Sequence, residues 1–422
     1  MANYHSRTNC RLCDSTALKL AIPMKPSPIG DAFVKDKNSE QELFPLDVYI
    51  CETCAHLQNL DVVDPKILFG NYTYQTSHSL GLVEHFKKYA AHVVSKLGID
   101  KPIFVMEIGS NDGSLLGEFQ ALGHTVQGID ASFTVAGHAN KRGVPTIGDF
   151  FTFDLSQKIK ADKGQAGLVC ANNVYAHADN LRDITKGIRN VLSDDGVFVF
   201  EVSYLPDMVE NMVFDTIYHE HVSYHTLNPL DKFFNSLDLS LFDVERVPTK
   251  GGSIRAFAQP KSTGKRPRSD AIDTLMADEI AQHYDQIETY HRYAQKIVDC
   301  KNQTLQLLTE LSADKSQIAG YGASTTTTTL LYNYELEGVL DRIYDDNAIK
   351  YGTFSPGAHI EVLPSEEILS RKPNAIVILA WVYAKPIIKR NRAYVEAGGT
   401  FVIPLPVPMT VDAGNLDTFL NA

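Results

Sequence analysis

The chain has 422 residues, 44% hydrophobic and 21% charged, with a formal net charge of −12 at pH 7; two or three domains of a soluble globular protein are expected. The negative balance argues against nucleic acid as the main partner, because phosphate binding needs clustered Lys and Arg. No apolar run reaches the roughly 18 residues of a membrane span, and no apolar segment follows Met1-Ala-Asn-Tyr-His-Ser-Arg7, so a cytoplasmic location is expected.

The first features in chain order are two knuckles, Cys10-x-x-Cys13 and Cys51-x-x-Cys54. Four thiolates so spaced suit a structural Zn2+ with tetrahedral geometry, leaving no coordination position open for catalysis. Buried inert cysteines or redox dithiols are the alternatives. Six cysteines in a cytosolic chain of this size are not a disulfide framework. The 37 residues between the knuckles (14–50) must carry strands of their own, and the metal segment is expected to end near Leu60. An aromatic connector over 69–77 and an amphipathic helix over about 80–97 follow.

From about 101 to 260 strand and helix patterns alternate, which predicts an α/β domain with a parallel, doubly wound sheet. Strands are expected over 103–108, 125–130, 167–171 and 196–202, and helices over 113–122 and 180–192. Cys170 reads as core. Residues 269–311 are polar and helical in period, which predicts one long helical connector. A second, smaller α/β unit opens with a strand over 317–319 and the turn Gly320-Tyr-Gly322. It continues through 343–347, 375–380 and 400–403. The run Thr325–Thr329 reads as a helix start or a loop. The expected units are 1–65, 66–262, a helical connector over 263–312, and 313–422.

The turn after the first strand, Gly109-Ser-Asn-Asp-Gly113, lacks the second glycine of the dinucleotide fingerprint, which lets a pyrophosphate approach the helix. Asp130 ends the next strand 21 residues after Gly109, where an acid grips the two ribose hydroxyls of an adenosine. A ribose grip without a pyrophosphate grip suits S-adenosylmethionine. Glu107 would help hold its ammonium group, while Phe150 and Asn173 fall where adenine contacts and the sheet's carboxyl edge are expected. The alternative is an ordinary βα turn.

Further on, Tyr218, His219, Glu220, His221 and Tyr224 fall within seven positions, a dense set of proton-handling groups. Its histidines are two apart rather than four, which disfavours a zinc protease. A lone His177 after a strand is more often structural, and Arg255 more often a salt-bridged strand residue than a ligand contact, although Gly251-Gly252 beside it permits close approach. Two other classes stay open. Gly320-x-Gly322 with Asp345 25 residues on fits an NAD(P)-dependent sugar-nucleotide oxidoreductase, although Thr325 replaces the third glycine. A non-catalytic sugar-nucleotide binder is the other.

The knuckles, Glu107-x-Gly-x-Asn-Asp-Gly113, Asn173-Val-Tyr-Ala-His177, Tyr218-His-Glu-His221, Gly251-Gly-Ser-Ile-Arg255, Gly320-Tyr-Gly-Ala323, Tyr344-Asp-Asp-Asn347 and Pro356-Gly357 occur in one order along the chain. That order resembles the nucleotide-sugar C-methyltransferases, which methylate C3 of 4-keto-deoxy sugars destined for antibiotics or surface polysaccharides. The resemblance spans nearly the whole chain. It implies an N-terminal zinc-binding module, a central Rossmann-like methyltransferase domain, and a C-terminal smaller α/β domain that helps hold a nucleotide sugar, dTDP-linked here, in a monomer or small homo-oligomer. By resemblance Tyr72 (or Tyr74), His177, Tyr218, Glu220 and His221 face the sugar, Ser253 and Arg255 lie near it, and Tyr321 lies near the nucleotide. Many relatives carry Lys-Gly after Gly-Tyr-Gly-Ala; Ser324 and the threonine run stand here instead.

Methylating carbon requires a carbon nucleophile, which a base can make by removing the proton beside a ketone. His221 is the first choice for that base, with Tyr218 in competition. Glu220 would orient an imidazole or grip a hydroxyl. Tyr218, Tyr72 and His177 would donate hydrogen bonds to the developing oxyanion.

Overall fold

A computed structural model describes residues 3–69, 75–78, 80–311 and 318–421. The expected substrate-facing Tyr72, its neighbour Tyr74, and Gln317 lie outside them. The N-terminal strands are β1 (Tyr4–Ser6), β2 (Leu18–Ile22), β3 (Val48–Cys51), β4 (Leu57–Asn59) and β5 (Asp61–Val63), with β1 paired to β5. Both knuckles close in the same way: Asp14 N–H donates to Cys10 O and Ala55 N–H to Cys51 O. Both Asp14 and Ala55 are left-handed, with φ of 62° and 66°.

The middle of the chain contributes β6 (Phe104–Ile108), β7 (Thr125–Asp130), β8 (Thr146–Gly148), β9 (Ala166–Asn172), β10 (Leu192–Ser203), β11 (Ser223–Tyr224), β12 (Leu239–Val247) and β13 (Ser253–Pro260). Seven of them form one sheet in the order β12-β13-β10-β9-β6-β7-β8, with β13 antiparallel to both neighbours. Successive side chains of a strand point to opposite faces. Thus Val105 joins one apolar layer, with Phe86, Tyr89 and Val93 of the helix Leu80–Lys96, while Met106 joins the other, with Ile188, Phe198 and Phe234. The sheet winds outward from β6 in both directions, since β7 lies on one side and β9 on the other. Ligands of open α/β sheets bind at such a reversal, beyond the carboxyl ends of the strands.

β11 does not join this sheet. It extends the N-terminal one in the order β11-β4-β3-β2, with Ser223 opposite Gln58 and Tyr224 opposite Leu57. The Tyr-His-Glu-His segment is therefore continuous in chain with a strand of the cysteine module.

The last six strands, β14 (Ile318–Tyr321), β15 (Arg342–Asp345), β16 (Glu361–Pro364), β17 (Ala375–Ile378), β18 (Thr400–Ile403) and β19 (Met409–Val411), form a sheet in the order β16-β15-β14-β17-β18-β19, parallel except for β19. The stretch expected as one long helical connector is two helices, Asp270–Ala281 and Ile287–Leu311, separated at His283, whose φ is 62°. The two serve different neighbours. Buried Glu279 accepts N–H bonds from Leu227 and Asn228, at the start of the helix Leu227–Asn235, and the Tyr204 hydroxyl. Tyr290, Tyr293, Ile297 and Leu308 of the second helix enter a core shared by the N-terminal strands, residues 205–224 and the C-terminal sheet. The polar composition concealed this apolar stripe.

The threonine run opens the helix Thr325–Tyr334 behind a Ser324 N-cap. Its buried hydroxyls reach three parts of the chain: Thr327 donates to Gly322 O, Thr328 to Gly30 O and Thr329 to Ile217 O. Among the described residues no helix is long and apolar enough to cross a membrane.

Candidate active site

A cleft of about 650 Å³ opens at the reversal of the seven-stranded sheet. Glu107, Gly109 and Asn111 line it from β6 and its loop, Asp130 from the end of β7, Phe150 from beyond β8, and Asn173 and His177 from beyond β9. Gly109 has φ 69°, and a Cβ there would stand 2.4 Å from the Val174 side chain, so only glycine fits this turn. Asp130 shapes the same loop: Oδ2 accepts Asn111 N–H at 2.8 Å and Oδ1 accepts Ser132 N–H at 2.9 Å. Each oxygen keeps a second lone pair for a hydroxyl. Burial raises the Asp130 pKa, against the pull of those two backbone donors.

The floor of the cleft holds polar atoms without protein partners among the described residues: Glu107 Oε2, Asn172 Nδ2 and Ser110 Oγ. Such groups cost free energy unless a ligand or water satisfies them. Glu107 is 2% exposed, and burial, then the nearby Asp130 charge, pushes its pKa well above the usual carboxylate range. Asn173, at φ 58°, is held by its N–H bond to Glu201 O. A donor and acceptor floor, a carboxylate edge and apolar Phe150 and Phe151 fit an amino-acid-bearing nucleoside such as S-adenosylmethionine.

The proton-handling cluster meets the same cleft through Tyr218 and Glu220. Its backbone is held from several sides. Trp381 Nε1–H donates to Asp215 Oδ2 at 3.0 Å, Thr329 bonds Ile217 O, and Val222 N–H donates to Ala176 O. His219 serves structure, donating to Phe44 O at 3.3 Å and meeting that ring edge-on. Beyond it, Asn59 N–H donates to Val222 O, Tyr224 donates to Asn59 Oδ1, and His56 bonds the Ser223 hydroxyl.

His221 has a defined tautomer. Its Nδ1 lies 2.7 Å from Thr216 O, which can only accept, so Nδ1 carries the proton. Nε2 therefore presents its lone pair, and the Tyr218 hydroxyl 3.1 Å away donates to it. Burial, then the Lys250 charge, lowers the His221 pKa to about 3. The ring is neutral at physiological pH. Tyr218 stacks on His221 at 4.2 Å, His221 packs against His177 at 4.9 Å, and His177 stacks on Phe69 at 6.0 Å. Tyr218 and His177 line the cleft, and His221 stands directly behind them. Burial, followed by the nearby charge of Asp31, pushes the Glu220 pKa up to about 7, so near neutrality this side chain can either donate or accept.

Three expected substrate contacts do not line the cleft. Arg255 on β13 sits opposite Glu201 on β10 and Glu245 on β12. It donates to Glu201 at 2.8 Å, with its guanidinium 4.3 Å from the centre of the Tyr89 ring. Its register places it between two carboxylates, a favourable cross-strand arrangement. Ser253 donates to Thr249 O and closes the turn that carries Lys250. Tyr321 lies at the carboxyl edge of the C-terminal sheet and donates to Asp346. Conversely, two residues given no site role in the sequence do line the cleft: Lys250, which was not singled out, and Thr325, which was read only as part of a helix start or loop. The available signal for Lys250 was its place just before Gly251-Gly252.

The four cysteine sulfurs lie within 4.8 Å of one another, with Cys10–Cys54 at 3.6 Å and Cys13–Cys51 at 3.5 Å. Zn–S bonds of about 2.3 Å in a tetrahedron require S–S separations near 3.8 Å, so the cluster fits the metal with all four positions filled. Buried Arg11, inside the first knuckle, ion-pairs with Asp179 at 3.1 Å and donates to Asn59 O. Asp179 belongs to the cleft wall. The metal module thus braces the cleft at Asp179 and through β11.

Comparison with known proteins places three family models along the chain: a zinc binding domain over residues 10–69, a methyltransferase domain over 82–243, and a C-methyltransferase C-terminal domain over 248–406. The C-methyltransferase NovU of Streptomyces niveus is 33% identical over 407 residues, which cover 96% of this chain and 97% of that protein. Among solved structures, magnesium protoporphyrin IX methyltransferase from Synechocystis PCC 6803 is 17% identical over 46% of this chain and 90% of that one, at a TM-score of 0.34. The PH0226 protein from Pyrococcus horikoshii OT3 is 15% identical over 45% and 95%, at 0.37. Domain order and full-length identity agree: the chain belongs to the C-methyltransferase family, as a zinc-binding enzyme dependent on S-adenosylmethionine.

Proposed function

We propose that the enzyme methylates a carbon beside the ketone of a nucleotide-linked 4-keto-deoxy sugar, at C3 and with dTDP as the carrier, in the cytoplasm, for a branched-chain deoxysugar of an antibiotic or surface polysaccharide. The observation that carries this reading is the neutral His221 with its Nε2 lone pair turned to Tyr218, in the wall of a cleft whose other end has an adenosine-type carboxylate. A methyltransferase acting on oxygen or nitrogen has less need of a built base, whereas a C–H bond must first be ionised.

In this reading S-adenosylmethionine supplies an electrophilic methyl group when bound. Asp130 holds its ribose, Glu107 faces its ammonium, and Gly109, Phe150 and Asn173 shape the rest of its seat. A cation beside Glu107 lowers that raised pKa and ionises it. The Tyr218–His221 pair removes the sugar proton: the expectation centred on His221, and its place behind Tyr218 supports the two acting together. Glu220 grips a sugar hydroxyl, and His177 donates towards the ketone oxygen, a role shared with Tyr72. Arg255 and Ser253 act at one remove, through Glu201 and the turn at 249–252, and Tyr321 belongs to the nucleotide side. The units are 1–65, 66–262, 263–312 and 313–422. The oxidoreductase and binder alternatives give way to the family assignment.

The test is product mass spectrometry on a panel of dTDP-, UDP- and GDP-linked 4-keto-deoxy sugars. A gain of one methyl group on carbon, with the dTDP sugar preferred, is expected; no methylated product from any member overturns the reading. A second result is expected at the cofactor. Charge-assisted hydrogen bonds contribute roughly 1.5–3 kcal/mol each, so Asp130→Ala should weaken S-adenosylmethionine binding at least about tenfold. Unchanged affinity by calorimetry removes Asp130 from the site.

A further inference from the structure

Six carboxylates line the cleft: Glu107, Asp130, Asp149, Asp179, Asp183 and Glu220. Lys250 is the single Lys or Arg among its described lining residues. It sits in the turn Thr249–Gly251 with φ 53°, a left-handed conformation set by what surrounds it. Ser253 closes this turn by donating to Thr249 O, and Asn211 braces it by donating to Gly251 O. Gly252, at φ 125°, has the Asp207 side chain 2.3 Å from where its Cβ would be, so the turn has little freedom to relax. The Lys250 ammonium makes no hydrogen bond or ion pair shorter than 4 Å with any described residue, unlike Arg255 with Glu201 and Lys96 with Asp243.

A lysine fixed in a costly backbone conformation in an acidic cleft, without a close counter-ion among the described residues, needs an explanation. Its charge acts on His177, Glu220 and His221, which are the acid–base end of the cleft. We propose that Lys250 is a further catalytic residue, whose ammonium stabilises the oxyanion formed when the Tyr218–His221 pair deprotonates the substrate.

The proposal rests on the keto-sugar reading above. In the step, the C–H bond beside the ketone breaks and its proton passes to the Tyr218–His221 pair. The electron pair forms the C=C bond, and the carbonyl π electrons move onto oxygen. That oxygen acquires a full negative charge, which the ionised carboxylates of the cleft, Asp130, Asp149, Asp179 and Asp183 among its lining acids, would otherwise oppose. A preoriented cation there stabilises the charge as it develops, which is the usual source of large electrostatic catalysis. Lys250 is accessible because it stands in an open cleft, yet protein surrounds its charge closely enough for burial to lower its pKa, against the opposing pull of Glu220 and Glu201.

The test compares wild type with Lys250→Met, Lys250→Gln and Lys250→Arg. The substrate is a dTDP-linked 4-keto-deoxy sugar in deuterated water, with S-adenosylhomocysteine bound, and deuterium uptake is followed by mass spectrometry. Both neutral variants should lose about 10²–10³ in exchange rate and in kcat for methylation, the usual cost of removing one oxyanion donor. S-adenosylhomocysteine affinity should stay within about twofold, which confirms a folded cofactor site, and Lys250→Arg should recover part of the rate. Two neutral side chains are used so that misfolding of one leaves the comparison intact. Exchange and kcat within about twofold of wild type overturn the proposal while the keto-sugar reading stands. A raised KM at unchanged kcat also overturns it, by placing the ammonium on the nucleotide phosphates. Failure of the wild type to exchange or methylate any member of the panel removes the reading and the proposal with it.

Discussion

His221→Asn and Tyr218→Phe are each expected to lower solvent deuterium exchange beside the sugar ketone, and methylation with it, by about 10²–10⁴, the usual contribution of a positioned general base. Tyr218 reaches the cleft, and its hydroxyl donates to His221 Nε2 at 3.1 Å. Thr216 O fixes the imidazole by accepting Nδ1–H at 2.7 Å. Asparagine retains a donor for Thr216 but removes the basic nitrogen. Phenylalanine keeps the 4.2 Å ring stack while removing the hydroxyl. If the two residues work as a pair, both variants lose exchange together and the double variant loses little more, since coupled residues are not additive. Loss in one variant alone names that residue as the base. Wild-type exchange in both makes the cluster structural and leaves His177 as the next candidate.

Loss of zinc is expected to remove activity as well as the N-terminal fold. Elemental analysis of protein purified without chelator should find one zinc per chain, and Cys51→Ala should abolish it. Structural Zn2+ contributes roughly 10–16 kcal/mol in isolated finger peptides, comparable with the whole stability of an ordinary domain, about 5–15 kcal/mol. Cys51 ends β3, whose neighbour β4 pairs with β11. Disorder in the knuckles therefore reaches Ser223, two residues beyond His221. The Arg11–Asp179 ion pair carries the same disturbance into the cleft wall. Hydrogen exchange by mass spectrometry should show faster exchange over 218–225 in Cys51→Ala, along with a lower thermal midpoint. A variant that lacks zinc but keeps wild-type protection there would uncouple the metal from the active site.

Much of this arrangement was legible in the sequence, because its signals are local. Cysteine spacing marked the four sulfurs now found within 4.8 Å. Apolar runs and helical periods marked β6, β7 and the helix Leu181–Val191, whose Asn180 cap accepts Asp183 N–H. The glycine turn at 109–113 and Asp130 at the end of β7 followed from the same short-range pattern, since a strand, a tight turn and a helix leave composition marks within about thirty residues.

Only the tertiary structure decided which distant pieces meet. Nothing local pairs β11 with β4, more than 160 residues earlier, or aims Thr329 at Ile217. The resemblance put Arg255 near the sugar, while its residue type favoured a salt-bridged strand position; strand register set it between Glu201 and Glu245. Lys250 carried no motif until the backbone turn put it in an acidic cleft. The physical reason is one of range. Local sequence encodes backbone preference and the face an element can bury. Partner choice and side-chain surroundings are set by burial shared among segments far apart in the chain, and here one apolar core joins the cysteine module, the Tyr-His-Glu-His segment and the C-terminal sheet.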